Sequence, residues 1–74
     1  MDVHVKCFAT LASYAPQEGI VTLPENGRVT DLLSFLHIPQ EDVTVVLINQ
    51  FPAEYASPLT ADDHVSLIPA VTGG

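Results

Sequence analysis

Residues 2 to 9 alternate between apolar and polar with the period of two that marks a half-buried strand. Val3, Val5 and Cys7 fall on one face, the expected core face, and His4, Lys6 and Phe8 on the other. Leu11 to Ala15 allows a short helical turn, which Pro16 ends, because a residue before proline is pushed out of the helical region. Gly19 to Leu23 is a second β-rich run, close enough to pair with the first. Pro24-Glu25-Asn26-Gly27 is turn chemistry, with Asn-Gly supplying a positive φ. The period then changes. Val29, Leu32, Leu33 and Leu36 follow the i, i+3, i+4, i+7 spacing of an amphipathic helix, with Thr30 the expected N-cap and Asp31 in the first turn. Ile38-Pro39 closes it. Val43 to Ile48 is short and rich in β-branched residues, as a central strand is. Asn49 to Asp63 reads as a loop with Pro52 and Pro58, and a short strand near Ala53 to Tyr55. His64 to Pro69 is the last strand, with Val65 and Leu67 on the core phase and Ser66 and Ile68 opposite. The expected core is Val5, Leu32, Leu36, Val45, Leu47, Val65 and Leu67.

The order strand, strand, helix, strand, short strand, strand argues for an α+β fold and is the order of the ubiquitin-like β-grasp, a mixed sheet with one main helix packed on one face, although periodicity alone leaves other small α+β folds open. At 74 residues and 47% apolar content this is one domain, residues 1–74, with residues 70–74 as a flexible tail. Two basic residues, Lys6 and Arg28, stand against nine acidic ones, for a formal charge of −7. Such a surface repels phosphate backbones and anionic lipid, which argues against nucleic acid and membrane as partners. It suits docking on a basic protein groove. A single cysteine excludes an internal disulfide, and no leader or bilayer-spanning apolar run is visible, so the cytoplasm is the expected location.

The chemistry gathers at the end of the chain. Ala70-Val71-Thr72-Gly73-Gly74 carries little side-chain bulk, and glycine backbone enters narrow channels closed to other residues. A protein that feeds its own carboxylate into another enzyme's active site needs such a tip. Nothing else in the chain reads as catalytic. Cys7 is in phase with Val3 and Val5, which predicts a buried, inert thiol. His4, His37 and His64 are scattered without metal-ligand spacing, so no metal is expected. Ser13, Ser34, Ser57 and Ser66 lack a paired base. Glu54, Asp62 and Asp63 read either as salt-bridge points for a basic partner or as solvated turn charges. Phe8 and Ile68 fall on the non-core phase of two strands; if those strands are neighbours, they form an exposed apolar patch for a partner.

Four stretches together resemble the MoaD/ThiS family of ubiquitin-like sulfur carriers, most closely its molybdopterin synthase small-subunit branch. They are Phe8-Ala9-Thr10-Leu11, Val29-Thr30-Asp31-Leu32-Leu33, Val46-Leu47-Ile48-Asn49-Gln50, and the run from Pro58-Leu59 to Gly73-Gly74. The chain departs from the family pattern at Ala61, where a turn glycine is usual, at Ala70, where a second proline is usual, and at Ala12, where a basic residue is common. The resemblance implies a carrier that is not itself an enzyme. An E1-like partner would adenylate Gly74 with ATP, and a sulfur donor protein would convert it to a thiocarboxylate. Gly73, Thr72 and Val71 would form the leash that brings the sulfur into the large subunit of the synthase. ATP would be bound by the activating enzyme, and this chain would hold no cofactor. The alternatives are a carrier for thiamine, a tungsten cofactor or another sulfur-containing product, a ubiquitin-like modifier that joins Gly74 to a lysine, and a plain interaction domain.

Overall fold

In the computed structural model, residues 1–70 are described; the tail positions Val71, Thr72, Gly73 and Gly74 lie outside them. Five strands form one sheet: β1 (Asp2–Cys7), β2 (Ile20–Thr22), β3 (Val43–Ile48), β4 (Phe51–Ala53) and β5 (His64–Pro69). Their spatial order is β2-β1-β5-β3-β4. The first and last strands pair in parallel at the centre, and every other pairing is antiparallel. One α-helix, α1 (Val29–Leu36), covers one face. Short 3-10 turns at Ala9–Tyr14 and Gln40–Asp42 complete the secondary structure.

Local chemistry explains most boundaries. Asn26 takes the left-handed conformation at φ 67°, and Gly27 N–H closes the turn onto the Pro24 carbonyl at 3.1 Å. The helix begins two residues earlier than Thr30 as cap would place it. Asp31 reaches back to accept the Arg28 backbone N–H at 2.8 Å, so Arg28 is the N-cap and Thr30 lies inside the first turn. At the other end His37 is left-handed, and Ile38 N–H bonds to the Leu33 carbonyl at 2.9 Å while its side chain is buried. The short strand expected near Ala53 starts at Phe51 instead. Asn49 and Gln50 both adopt positive φ, 53° and 72°, which makes a two-residue hairpin turn from β3 directly into β4. Pro52, which cannot donate to a ladder, sits on this edge strand.

The core is continuous between sheet and helix. Val3 and Val5 from β1, Val21 from β2, Val29, Leu32 and Leu33 from α1, and Val65 and Leu67 from β5 are all buried. The expected burial of Val5, Leu32, Val65 and Leu67 matches this. Three expected core residues do not. Val45 is 39% exposed, and Leu47 and Leu36 are half-buried. In β3 the pairing register to β5 shifts between Val43 and Val45, so one extra residue is accommodated and the inward phase runs Val43, Val46, Ile48. Val45 and Leu47 therefore stand on the opposite face.

This register makes two variants diverge. Leu32→Ala, at a fully buried position, should cost about 2–5 kcal/mol of stability, whereas Val45→Ala should change it by roughly 0.5 kcal/mol or less. Urea unfolding of both decides the matter; comparable losses would mean that Val45 faces the core after all.

Candidate functional site

The face of the sheet not covered by α1 is assembled from all five strands. Register places His4 beside Ile20 on one side and His64 on the other. One step along, Lys6 lies beside Ser66, Ser66 beside Leu47, and Leu47 beside Pro52. One further step brings Val45 beside Ile68. Phe8 is just past the end of β1, yet its backbone stays extended and its N–H donates to the Leu67 carbonyl at 3.1 Å. The parallel register thus brings Phe8 level with Ile68. Phe8 is 38% exposed, so the 3-10 turn that follows it leaves the ring partly open to solvent.

Phe8 and Ile68 accordingly belong to one apolar patch, as their strand phases suggest, and the fold adds Val45 and half-buried Leu47 to it. No sequence signal places these two on the open face, because the register shift in β3 that turns them outward is a property of its pairing. The patch lies at the end of the sheet where β5 terminates, next to the buried Pro69 and the exposed Ala70. The expected functional residues Val71, Thr72, Gly73 and Gly74 follow, outside the described residues.

Lys6 lies between the patch and the polar end of this face, with its Nζ 5.5 Å from the centroid of the Phe8 ring. Beyond it the His4 and His64 imidazoles stack, with centroids 4.4 Å apart and planes within 7°. Far apart in sequence, these two histidines become register partners through the parallel pairing; His37 sits apart, after the helix. Among the described residues, no group of three or more histidine, cysteine or acidic side chains is placed to hold a metal. Cys7 is half-buried on the core side of β1, and burial raises its thiol above the ordinary cysteine range, which favours the unreactive protonated form.

Asp63 differs from both readings of the acidic turn. It is buried, and its carboxylate accepts the Thr60 backbone N–H at 2.9 Å, the Thr60 hydroxyl at 3.0 Å and the Asn49 side-chain amide at 3.0 Å. Asn49 also accepts the His64 N–H through its Oδ1 at 2.9 Å and donates its own N–H to the His64 carbonyl at 2.7 Å. The pair fastens the start of β5 to the end of β3. Asp63 is a structural acceptor rather than a docking charge, while Glu54 and Asp62 remain exposed. Among the described residues, every buried side-chain nitrogen or oxygen has a partner.

A sequence profile described as the ThiS family matches residues 5–74. Among solved structures, SAMP1 from Haloferax volcanii is similar with a TM-score of 0.76 and 23% identity, covering 100% of both chains. A protein of Pyrococcus furiosus described as a candidate molybdopterin converting factor, subunit 1, aligns with a TM-score of 0.73 and 26% identity over 95% of this chain and 98% of that one. The complex of subunits 1 and 2 of the molybdopterin-converting factor of Helicobacter pylori 26695 contains a chain with a TM-score of 0.61 and 24% identity, covering 100% of both. A search of curated proteins gives no match. The fold is thus the ubiquitin-like β-grasp.

The Asp63 network carries a pH dependence. Burial by itself would raise the carboxyl pKa, but the hydrogen bonds from the Thr60 backbone, Asn49 and the Thr60 hydroxyl, with the charge of His64, outweigh it and hold the group below the usual carboxylate range. A depressed folded-state pKa contributes stability above the unfolded value of about 3.9, and that contribution is lost as pH falls through the folded value. Asp63→Asn should destabilise the domain by about 1–3 kcal/mol at neutral pH. The gap to wild type should narrow in the acid range below the unfolded pKa. Thermal melts across pH check this; a gap that is constant with pH would exclude an ionised Asp63 as its origin.

Proposed function

The chain belongs to the ThiS family, and on that premise we propose that it is a sulfur carrier whose Gly74 carboxylate is converted to a thiocarboxylate for molybdopterin synthesis. The observation that carries this reading is that the family match runs through residue 74 and so includes Gly73 and Gly74. A carboxylate is a poor electrophile and needs activation. An E1-like enzyme supplies it with ATP, forming an acyl adenylate at Gly74 and releasing pyrophosphate. A sulfur donor protein that holds its sulfur as a persulfide then attacks: a carbon–sulfur bond forms as the carbon–oxygen bond to the phosphate breaks and AMP leaves, and a thiol reductant cleaves the sulfur–sulfur bond to free the thiocarboxylate. The resulting sulfur is soft and nucleophilic. Delivered by the strip Val71-Thr72-Gly73 into the pocket of a synthase large subunit, it passes to a precursor pterin. ATP and the catalytic groups are the partners' contribution, and this chain supplies the terminus and a docking surface.

The molybdopterin branch is supported by Phe8-Ala9-Thr10-Leu11 and by the likeness to the Pyrococcus furiosus protein at 26% identity. The open-face patch of Phe8, Ile68 and Val45 supports a docking role. Apolar anchors on rigid strands hold a carrier in place while its terminus reaches inward, and anchors of this kind dominate binding energy in protein interfaces. A ubiquitin-like modifier shares the activated glycine but passes it to a lysine amine, so the product distinguishes the two readings.

Incubation with an E1-like enzyme, ATP and a sulfur donor protein should raise the mass of the intact chain by the difference between sulfur and oxygen, at Gly74. Removing Gly74 should abolish the change without altering the melting curve. Conjugates of higher mass on other proteins, with no sulfur at Gly74, would establish the modifier instead. Phe8→Ala should weaken binding to the large subunit by about 1–3 kcal/mol in calorimetric titration. Wild-type affinity in that variant would place the interface elsewhere.

A further inference from the structure

The open face of the sheet does not share the charge of the rest of the domain. Of the nine carboxylates in the sequence, Asp2 is the one within a strand; the other eight lie on turns, loops and the helix. Asp2 itself accepts the Thr22 hydroxyl at 2.6 Å, at the end of the face remote from Phe8. Lys6 is the one lysine of the chain, and it stands on this face with its ammonium over the Phe8 ring. Its register neighbours towards β5 and β3 are neutral or apolar: Ser66 beside it, then Leu47. In a domain of net charge −7, the apolar patch is bordered by a cation.

That placement has a consequence for any surface that receives Phe8. The strand fixes the stem of Lys6 two residues from Phe8 on the same face, and with the ammonium held over the ring as it is here, a pocket that encloses the ring takes the ammonium out of water with it. The ring face offsets a small part of the desolvation. An ammonium stripped of water and left unpaired costs several kcal/mol, so a pocket with no counter-charge would exclude this chain.

We propose that the partner surface receiving Phe8 is an apolar pocket flanked by an aspartate or glutamate carboxylate that pairs with Lys6, which makes Lys6 a specificity-determining residue of the docking face. The proposal rests on the reading that Phe8 enters the interface with the synthase large subunit. The exposed carboxylates of the turns and the helix act differently. They set the long-range field, which governs the encounter rate and is screened by salt. The Lys6 contact, once desolvated, governs dissociation and is screened far less. A partner positive overall and acidic at this one pocket satisfies both.

Titration of the cognate large subunit with Lys6→Met, Lys6→Arg and Phe8→Ala variants tests this at low and high salt. Lys6→Met keeps the stem and removes the charge, and it should weaken binding by tenfold or more, on the order of what is lost when one member of a desolvated pair is removed. Most of that loss should persist at high salt and appear in the dissociation rate. Lys6→Arg should stay within about threefold of wild type, because it keeps the charge. Unchanged or tighter binding of Lys6→Met, with Phe8→Ala weakened, would overturn the carboxylate and leave the docking reading standing. Wild-type binding by Phe8→Ala would overturn the docking reading, and the Lys6 proposal with it. Melting curves of the free variants should match wild type, since Lys6 is exposed.

Discussion

The parallel pairing of β1 with β5 is the contact on which the remaining structure depends. His4, Val5, Lys6 and Cys7 face His64, Val65, Ser66 and Leu67, joining the two ends of the described chain at the centre of the sheet. Parallel neighbours cannot be linked by a tight turn, so the intervening chain must cross over. Here that crossover contains α1, β3 and β4, and its apolar side chains close over Val3, Val5, Val65 and Leu67. Core formation and strand pairing are therefore one event. The same register sets Phe8 level with Ile68 and stacks His4 on His64, so the exposed face is a by-product of the contact that closes the core.

Fixing that pairing requires β5 to start at one defined residue. The turn Thr60 to Asp63 does this by turning a carboxylate inward. Asp63 ties Thr60 to Asn49, and Asn49 clasps both backbone groups of His64. A one-residue slip of β5 would turn Val65 and Leu67 to solvent, so a buried ionic acceptor at its entrance acts on register as much as on stability. Asn49 is suited to both of its tasks: it accepts the left-handed conformation of the hairpin turn, and its amide supplies both a donor and an acceptor.

Charge is divided along the same architectural lines. Strand positions on the open face must pack side by side, and this chain gives them apolar, hydroxyl and imidazole groups with a single lysine near the apolar end. Apart from Asp2 at the far end of this face and the buried Asp63, the carboxylates are placed in turns and on α1, where water solvates them. Long-range attraction and close contact are thereby assigned to different residues, as the proposed docking role requires.

Much of this was legible in the sequence because it rests on local rules. Period two in residues 2 to 7, period 3.6 in Val29 to Leu36 and the Asn26 turn yield the element order and the fold class without any long-range information. The Gly73-Gly74 end and the four family-like stretches point to the ThiS family in the same way. What the sequence left open depends on pairing. Val45 and Leu47 look like core residues until the register shift beside Thr44 turns them outward. Asp63 looks like a solvated turn charge until Asn49, fourteen residues away, reaches it. Asn49-Gln50 reads as loop until both residues adopt positive φ to hold β4 against β3. Lys6 and Phe8 share a strand phase in the sequence, but only the strand ladder beside Leu67 turns them into a cation over an aromatic ring at the edge of one patch. Local propensity determines which elements form; which face each side chain presents, and to what neighbour, follows from hydrogen-bond register between strands distant in the chain.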